Sequence, residues 1–185
     1  VRFGVKHIQN NLWRSHLFMT AYTARAHTNI ALLKYWGKAD TKLILPTTTS
    51  ISLTLNEFYT DTTVEFIETL CQDDITLDNH PLTGKPAQKV SDFLNLIRDI
   101  ANIKTFARVT SYNHVPTAAG LASSASAFAA LAGAASKAAG LNLDSSALSR
   151  LARRGSGSAT RSIYGGFVAW RKGTSDKDSV AESLY

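Results

Sequence analysis

Apolar and polar positions alternate along this chain with two periods. Thr20 to Ala31 alternates loosely and predicts an opening strand that runs into a loop. From Thr47 to Leu55, Ile51, Leu53 and Leu55 alternate with Thr and Ser, the pattern of a half-buried strand. Thr60 to Glu68 repeats it, with Thr62, Val64 and Phe66 facing away from Thr63, Glu65 and Ile67. Asp73 to Leu77 predicts a further short strand, and Asp78-Asn79-His80-Pro81 marks a turn, so a hairpin is expected there. The period then changes. Between Ala87 and Ile100, Val90, Phe93, Leu94, Ile97 and Ile100 fall on one face of a helix. Phe106 to Tyr112 returns to strand, and Pro116 to Gly120 leads into an Ala-rich helix. Asp144 is a good N-cap for the next helix, with Leu143 and Leu148 at the spacing of a hydrophobic staple, and that helix ends near Arg154. Ile163 to Trp170 reads as a strand with Gly165-Gly166 inside, and Lys172 to Asp178 as a charged turn. Strands and helices are interleaved without an internal repeat, which predicts a mixed α and β fold.

Val1 to Phe18 carries neither period, precedes Met19, and gives way at Thr20 to a patterned strand. The expectation is that residues 1–18 are a non-native or read-through extension and that residues 19–185 form one domain. The last apolar segment stops without a cap or tail, so that domain is expected to be cut before a second one.

Composition narrows the class. Apolar residues make up 44% of the 185 and charged residues 18%, the balance of a soluble globular domain with room for one core. No apolar run approaches the roughly 20 residues that span a bilayer. Ala122 to Ala139 comes nearest, but serines and Lys137 interrupt it, and a buried helix is the expectation. Cys71 is the only cysteine, which excludes an intrachain disulfide and fits a reducing cytosol. The five histidines are scattered, without the spacing of a zinc site. The net charge is +6, but Arg2, Lys6 and Arg14 supply half of it from the unpatterned leader. A mildly basic remainder suits phosphate substrates.

Three segments carry candidate chemistry. In the first, Asn113 to Ala125, a strand enters a small-residue loop that runs directly into a long helix. The free N–H groups of a helix's first turn and its dipole make an anion site. Gly120 and its alanine neighbours let a phosphate chain approach the backbone, while Ser123 and Ser124 offer hydroxyl donors or ligands to magnesium. No Gly-Lys-Ser/Thr follows, so this is not a Walker loop. Small residues that merely permit close helix packing account for the same letters, and on the residues alone both readings stand. In the second, Ala24 to Lys38, Lys34 and Lys38 lie four apart beside Tyr35 and would share a face if the turn were helical. They could hold a diphosphate or form a solvated basic edge. In the third, Arg153 to Ser162, Gly-Ser-Gly-Ser reads as flexible backbone with exposed hydroxyls, and Arg161 offers a rigid fork for a carboxylate or phosphate.

Together these segments resemble something specific. Pro116 to Ser124 is similar to the ATP-binding motif of the GHMP kinase superfamily. Ala24–Lys38, Pro116–Ala125 and Gly155–Gly166 resemble the corresponding motifs of the diphosphomevalonate decarboxylases, and the resemblance runs from about Met19 to the end. It implies an α+β fold, the two-layer α/β sandwich of the GHMP kinase N-terminal domain (ribosomal protein S5 domain 2-like). It also implies a reaction: ATP phosphorylates the tertiary 3-hydroxyl of mevalonate 5-diphosphate, and loss of that phosphate and of carbon dioxide gives isopentenyl diphosphate. Carried over residue by residue, Arg161 would hold the substrate carboxylate with Asn29 in support. Tyr35, Lys38 and Ser156 would hold the diphosphate, with Lys34 nearby, and Ser158 would lie beside the reacting hydroxyl. Arg161, Ser158 and Lys38 are thus the catalytic candidates. Pro116, Ala118, Ala119, Gly120, Leu121, Ala122, Ser123 and Ser124 would cradle ATP, with Ser124 toward Mg²⁺. The family's general-base aspartate lies in the C-terminal half and has no counterpart here, so this polypeptide alone is expected to be inactive. The resemblance further implies a cytoplasmic protein, homodimeric at full length, with no nucleic-acid or membrane partner. Two alternatives stay open: a mevalonate-type small-molecule kinase or phosphomevalonate decarboxylase within the enzyme class, and a basic nucleic-acid-binding module outside it.

Overall fold

The structure is a computed structural model and describes residues 6–8, 20–115 and 123–184. Ten strands and three α-helices are present among them: β1 (Lys6–Ile8), β2 (Tyr22–Leu33), β3 (Lys38–Asp40), β4 (Leu45–Pro46), β5 (Ser50–Ile67), β6 (Asp74–Leu77), β7 (His80–Pro81), α1 (Gly84–Ala101), β8 (Phe106–His114), α2 (Ser123–Ala138), α3 (Ser145–Gly155), β9 (Phe167–Trp170) and β10 (Ala181–Ser183). A 3₁₀ helix, Gly157–Ile163, lies between α3 and β9. The main sheet runs β1-β2-β5-β8-β6-β7, with β9 beside β5 and β10 beside β9, and β3-β4 form a separate hairpin. All main-sheet pairs are antiparallel except β6 with β8.

The organising strand is β5. The alternating pattern predicted two strands with a break before Thr60, but Ser50 to Ile67 is continuous. Its first part pairs with β9 and the end of β2, and its second part with β8 and the start of β2. The surplus residues are absorbed in a register shift opposite His27 and Asn29. There the Leu55 carbonyl accepts from His27 Nδ1 at 3.2 Å and the Phe58 carbonyl from Thr28 Oγ1 at 3.3 Å. Side chains of β2 therefore satisfy backbone groups that a local ladder break would strand, and the strand need not end. β1 pairs with the outer edge of β2, so three residues of the leader set aside in the sequence reading join the sheet.

The sheet has one apolar and one polar face, as period-2 alternation requires. Ala24, Ala26, Val64, Phe66, Ala107 and Val109 point into a core with Phe93, Leu94 and Ile97 of α1 and Phe128 and Leu131 of α2. On the other face Thr23 meets Thr63 at 2.8 Å and Arg25 makes a bidentate pair with Asp61 at 2.7 Å. The helices thus lie on one side, giving the expected two-layer arrangement. Helix α2 is buried nearly all round, which explains its weak amphipathicity: alanines at 125, 129, 130, 132, 134 and 135 let it lie close to β2 and β5. The predicted α1 face holds for Phe93, Leu94 and Ile97, while Ile100 stays exposed beyond the sheet. The hairpin expected at Asp78-Asn79 forms, with both residues at positive φ (50° and 65°). Asp144 caps α3, its carboxylate accepting from the Ala147 N–H at 2.7 Å.

Candidate active site

The site forms where the end of β2, the start of β5 and the 3₁₀ helix meet. Gly155-Ser156-Gly157-Ser158 is built into regular structure. α3 continues to Gly155, the 3₁₀ helix starts at Gly157, and Thr160, Arg161, Ser162 and Ile163 are buried. The predicted strand from Ile163 begins only at Phe167, because the backbone first closes the 3₁₀ turn through Tyr164 N–H to Arg161 C=O. Both glycines are required by close approach: a Cβ at Gly155 would lie 2.0 Å from the Phe128 ring and one at Gly157 2.7 Å from the Tyr35 hydroxyl. What reads as flexible backbone is a packing requirement.

Arg161 is the centre. It is 2% exposed. Nη1 donates to Ser50 Oγ at 2.6 Å and Nη2 to Asn29 Oδ1 at 3.2 Å, while Nε is buried without a partner. No carboxylate pairs with it among the described residues. Burial pushes its pKa down to about 10, partly opposed by Tyr35. Asn29 is fixed from its other end, where Nδ2 donates to the Ser158 carbonyl at 3.1 Å and to Ser162 Oγ at 2.7 Å. The amide therefore has one orientation, with its oxygen on the guanidinium. Ser50 was not foreseen. Its only signal was its place at the head of a strand, which does not single out one serine among several.

Around this centre some of the predicted residues come together and others stay apart. Ser156 Oγ lies 3.4 Å from Ser158 Oγ and 3.4 Å from Ser124 Oγ at the start of α2. Three hydroxyls thus join the beginning of α2 to the 3₁₀ turn. Tyr35 packs edge-on to Trp170 with centroids 4.8 Å apart and its hydroxyl over Gly157. Lys34 and Lys38 are exposed. They do not share a helical face: residues 34–37 are irregular and Lys38 opens β3. Pro116, Ala118, Ala119, Gly120, Leu121 and Ala122 lie outside the described residues. Ser123 and Ser124, the end of that motif, border a cavity of about 230 Å³ between sheet and helices. Its walls include Ile75, Leu77, Leu82, Val90, Ser111 and Asn113. The hydropathy pattern marks the apolar members as core and gives no hint that they leave a space.

Among the described residues no group of three or more His, Cys, Asp or Glu side chains could hold a metal ion. Ser124 contributes a hydroxyl oxygen, which fits Mg²⁺ carried largely by phosphates rather than by the protein. Likewise, no helix among the described residues is long and apolar enough to cross a membrane.

Comparison with known proteins gives one answer. Residues 26–181 match the model of the diphosphomevalonate decarboxylase-like N-terminal domain. The diphosphomevalonate decarboxylases of Saccharomyces cerevisiae and Homo sapiens are 43% and 40% identical to the chain over 90% of its length, covering 46% and 45% of their own. The chain thus spans about half the length of the curated relatives it matches. Among solved structures, the mevalonate diphosphate decarboxylase from Enterococcus faecalis superimposes with a TM-score of 0.86 at 57% identity, over 89% of this chain and 51% of that one. A structure described as MDDEF in complex with MVAPP, AMPPCP and magnesium gives the same TM-score and identity, over 89% and 50%.

Proposed function

Since the chain belongs to the diphosphomevalonate decarboxylase-like N-terminal domain family, we propose that it forms the substrate- and ATP-binding half of an enzyme that decarboxylates mevalonate 5-diphosphate. ATP phosphorylates the tertiary hydroxyl, and loss of that phosphate and of carbon dioxide leaves isopentenyl diphosphate. A tertiary alcohol is a poor leaving group and its phosphate a good one. As the phosphate leaves, positive charge grows at the tertiary carbon and the carboxylate supplies the electrons. The protein's task is to fix three anions in register, which is catalysis by positioning and electrostatics.

The observation that carries this reading is the buried Arg161, held by a hydroxyl and an amide oxygen, with no counter-charge among the described residues and a spare Nε–H. Such a cation is incomplete until an anion arrives. A carboxylate suits its planar fork. Asn29 orients the fork, and Ser158, whose carbonyl accepts from the same asparagine, serves the reacting hydroxyl. Tyr35, Lys38 and Ser156 hold the diphosphate, with Lys34 close by. Ser123, Ser124 and the Pro116–Ala122 segment take the ATP phosphates, Ser124 toward Mg²⁺, and the adjoining cavity takes the base. When bound, Mg²⁺ would offset phosphate charge. None of these residues is assigned as the general base, and the role proposed for this chain is binding. A cytosolic location and a homodimeric full-length protein complete the proposal.

Calorimetric titration with mevalonate 5-diphosphate tests it. The wild-type chain should bind, and Arg161→Gln should weaken binding by about 100-fold, the scale of a lost charge-assisted fork. Equal affinity in the two would overturn the reading.

A further inference from the structure

Arg153 is a second buried arginine near this site, and the chemistry above does not use it. It lies in the last turn of α3, two residues before Gly155, and is fully buried. Its fork reaches two separate segments, the turn at Leu43 and the turn that holds Asp176 and Ser179. Nε donates to the Leu43 carbonyl at 2.9 Å, Nη1 to the Ser179 carbonyl, and Nη2 to Asp176. Asp176 is about half exposed, so the charge of Arg153 is compensated at the protein's edge.

Two of these contacts, those to Leu43 and Ser179, lead back to the diphosphate end of the site. Leu43 lies in the tight turn of the β3-β4 hairpin, where Asp40 Oδ1 accepts from the Lys42 and Leu43 N–H groups at 2.8 and 2.7 Å. That hairpin begins with Lys38, and the next residue of its turn, Ile44, faces Gly157 alongside Tyr35. Ser179 Oγ accepts from Trp170 Nε1 at 3.1 Å, and the Trp170 ring supports Tyr35. Arg153 is thereby joined to Tyr35 by two routes and to Lys38 by one, and it is covalently next to the serine turn.

We infer that Arg153 is a positioning residue for diphosphate binding: without touching substrate, it clamps the Lys38 hairpin and the Tyr35 platform against the Ser156–Arg161 turn. The inference rests on the assignment of Tyr35, Lys38 and Ser156 to the diphosphate. A displacement of about 1 Å in such a site can cost up to about 100-fold, and a partial loss of the clamp is expected to cost about 10-fold.

The experiment compares the wild-type chain with Arg153→Lys, Arg153→Met and Asp40→Ala. Affinities for mevalonate 5-diphosphate and for ATP are measured by titration, alongside the urea unfolding midpoint. Asp40→Ala loosens the same hairpin turn at a partly exposed position, so it serves if Arg153→Met does not fold. The expected result is an affinity for mevalonate 5-diphosphate about 10-fold weaker in Asp40→Ala and Arg153→Met, with Arg153→Lys intermediate. ATP affinity should stay within about twofold throughout. Diphosphate affinity unchanged in the folded variants, or both ligands weakened in parallel with the midpoint, would overturn the inference and leave the proposed function standing. A wild-type chain that binds no mevalonate 5-diphosphate would overturn both.

Discussion

Arg98 and Arg161 are buried to nearly the same degree, 6% and 2% exposed, yet the two regions around them are built differently. At the end of α1, Arg98 pairs with both oxygens of Asp73 at 2.9 and 3.0 Å and with Asn95 at 2.7 Å. Asp73 also accepts from the Ala107 N–H at 2.9 Å, which ties the pair to the start of β8. Every charge there has its opposite. In the 3₁₀ region Arg161 has a serine, an asparagine and an unused N–H. Burying an unpaired charge is expensive, whereas a hydrogen-bonded pair recovers much of the loss. The first region is finished by folding. The second leaves a charge that no acid among the described residues pairs.

The sharpest way to break this comparison is to remove each charge and ask what is lost. Arg161→Gln, with the affinity loss given above, should leave the unfolding free energy of the free protein within about 1 kcal/mol, because it removes a desolvated charge while keeping an amide toward Ser50 and Asn29. The pH dependence has a definite sign. Arg161's folded pKa, pushed down to about 10, is below its unfolded value, so its destabilising effect is full below about 10 and is relieved as pH rises from there toward the unfolded value. Affinity for the carboxylate should run the other way, level from pH 7 to 9 and falling above about 10. Asp73→Asn is the counterpart. It strands Arg98 in the core and should cost about 3 kcal/mol in urea denaturation, with mevalonate 5-diphosphate affinity unchanged in the folded fraction. Equal stability costs at the two sites would erase the distinction.

A smaller effect tests whether the 3₁₀ region is shaped for its ligand as well as charged for it. Gly157→Ala puts a methyl group against the Tyr35 hydroxyl, a flexible neighbour compared with backbone. The tyrosine should yield, leaving the fold intact and weakening diphosphate binding by about 10-fold in the same titration. Gly155 sits against the Phe128 ring, which is part of the core, so alanine there should unfold the protein rather than detune it.

The contrast also explains what could be read from the sequence. Local signals were legible: the Asp78-Asn79 turn, the Asp144 cap and the α1 face each depend on neighbours within one or two turns of chain. The resemblance of three motifs to one family was legible too, and the two-layer fold followed from it. What could not be read depends on distant partners. The continuity of β5 relies on His27 and Thr28 of another strand. The close packing at Gly155 and Gly157 involves Phe128 and Tyr35, so these glycines read as looseness until those neighbours are known. Ser50 reaches Arg161 across 111 positions, and the two segments share no periodicity that would pair them. The Ala-rich helix shows both sides: its small residues meet the packing role, and its first serines still border the cavity.

The weakest expected effect concerns a charge satisfied in a third way. Asp178, at the surface, accepts from the backbone and hydroxyl groups of both Thr174 and Ser175, with distances from 2.7 to 3.1 Å. These donors hold its carboxyl well below the usual carboxylate range. Because the folded value is depressed, its stabilising contribution is present above the unfolded pKa of about 4 and is lost as pH falls through the folded value. Asp178→Ala should therefore lower the unfolding midpoint slightly at pH 7, with the difference from wild type shrinking as pH falls below about 4. The turn it closes also holds Asp176 and leads into Ser179, both partners of Arg153. Neutral donors alone thus suffice for a charge in water, and Arg161 shows that they do not suffice for one in the core. A midpoint difference that persisted undiminished at low pH would mean that Asp178 acts through packing, and that part of the comparison would fall.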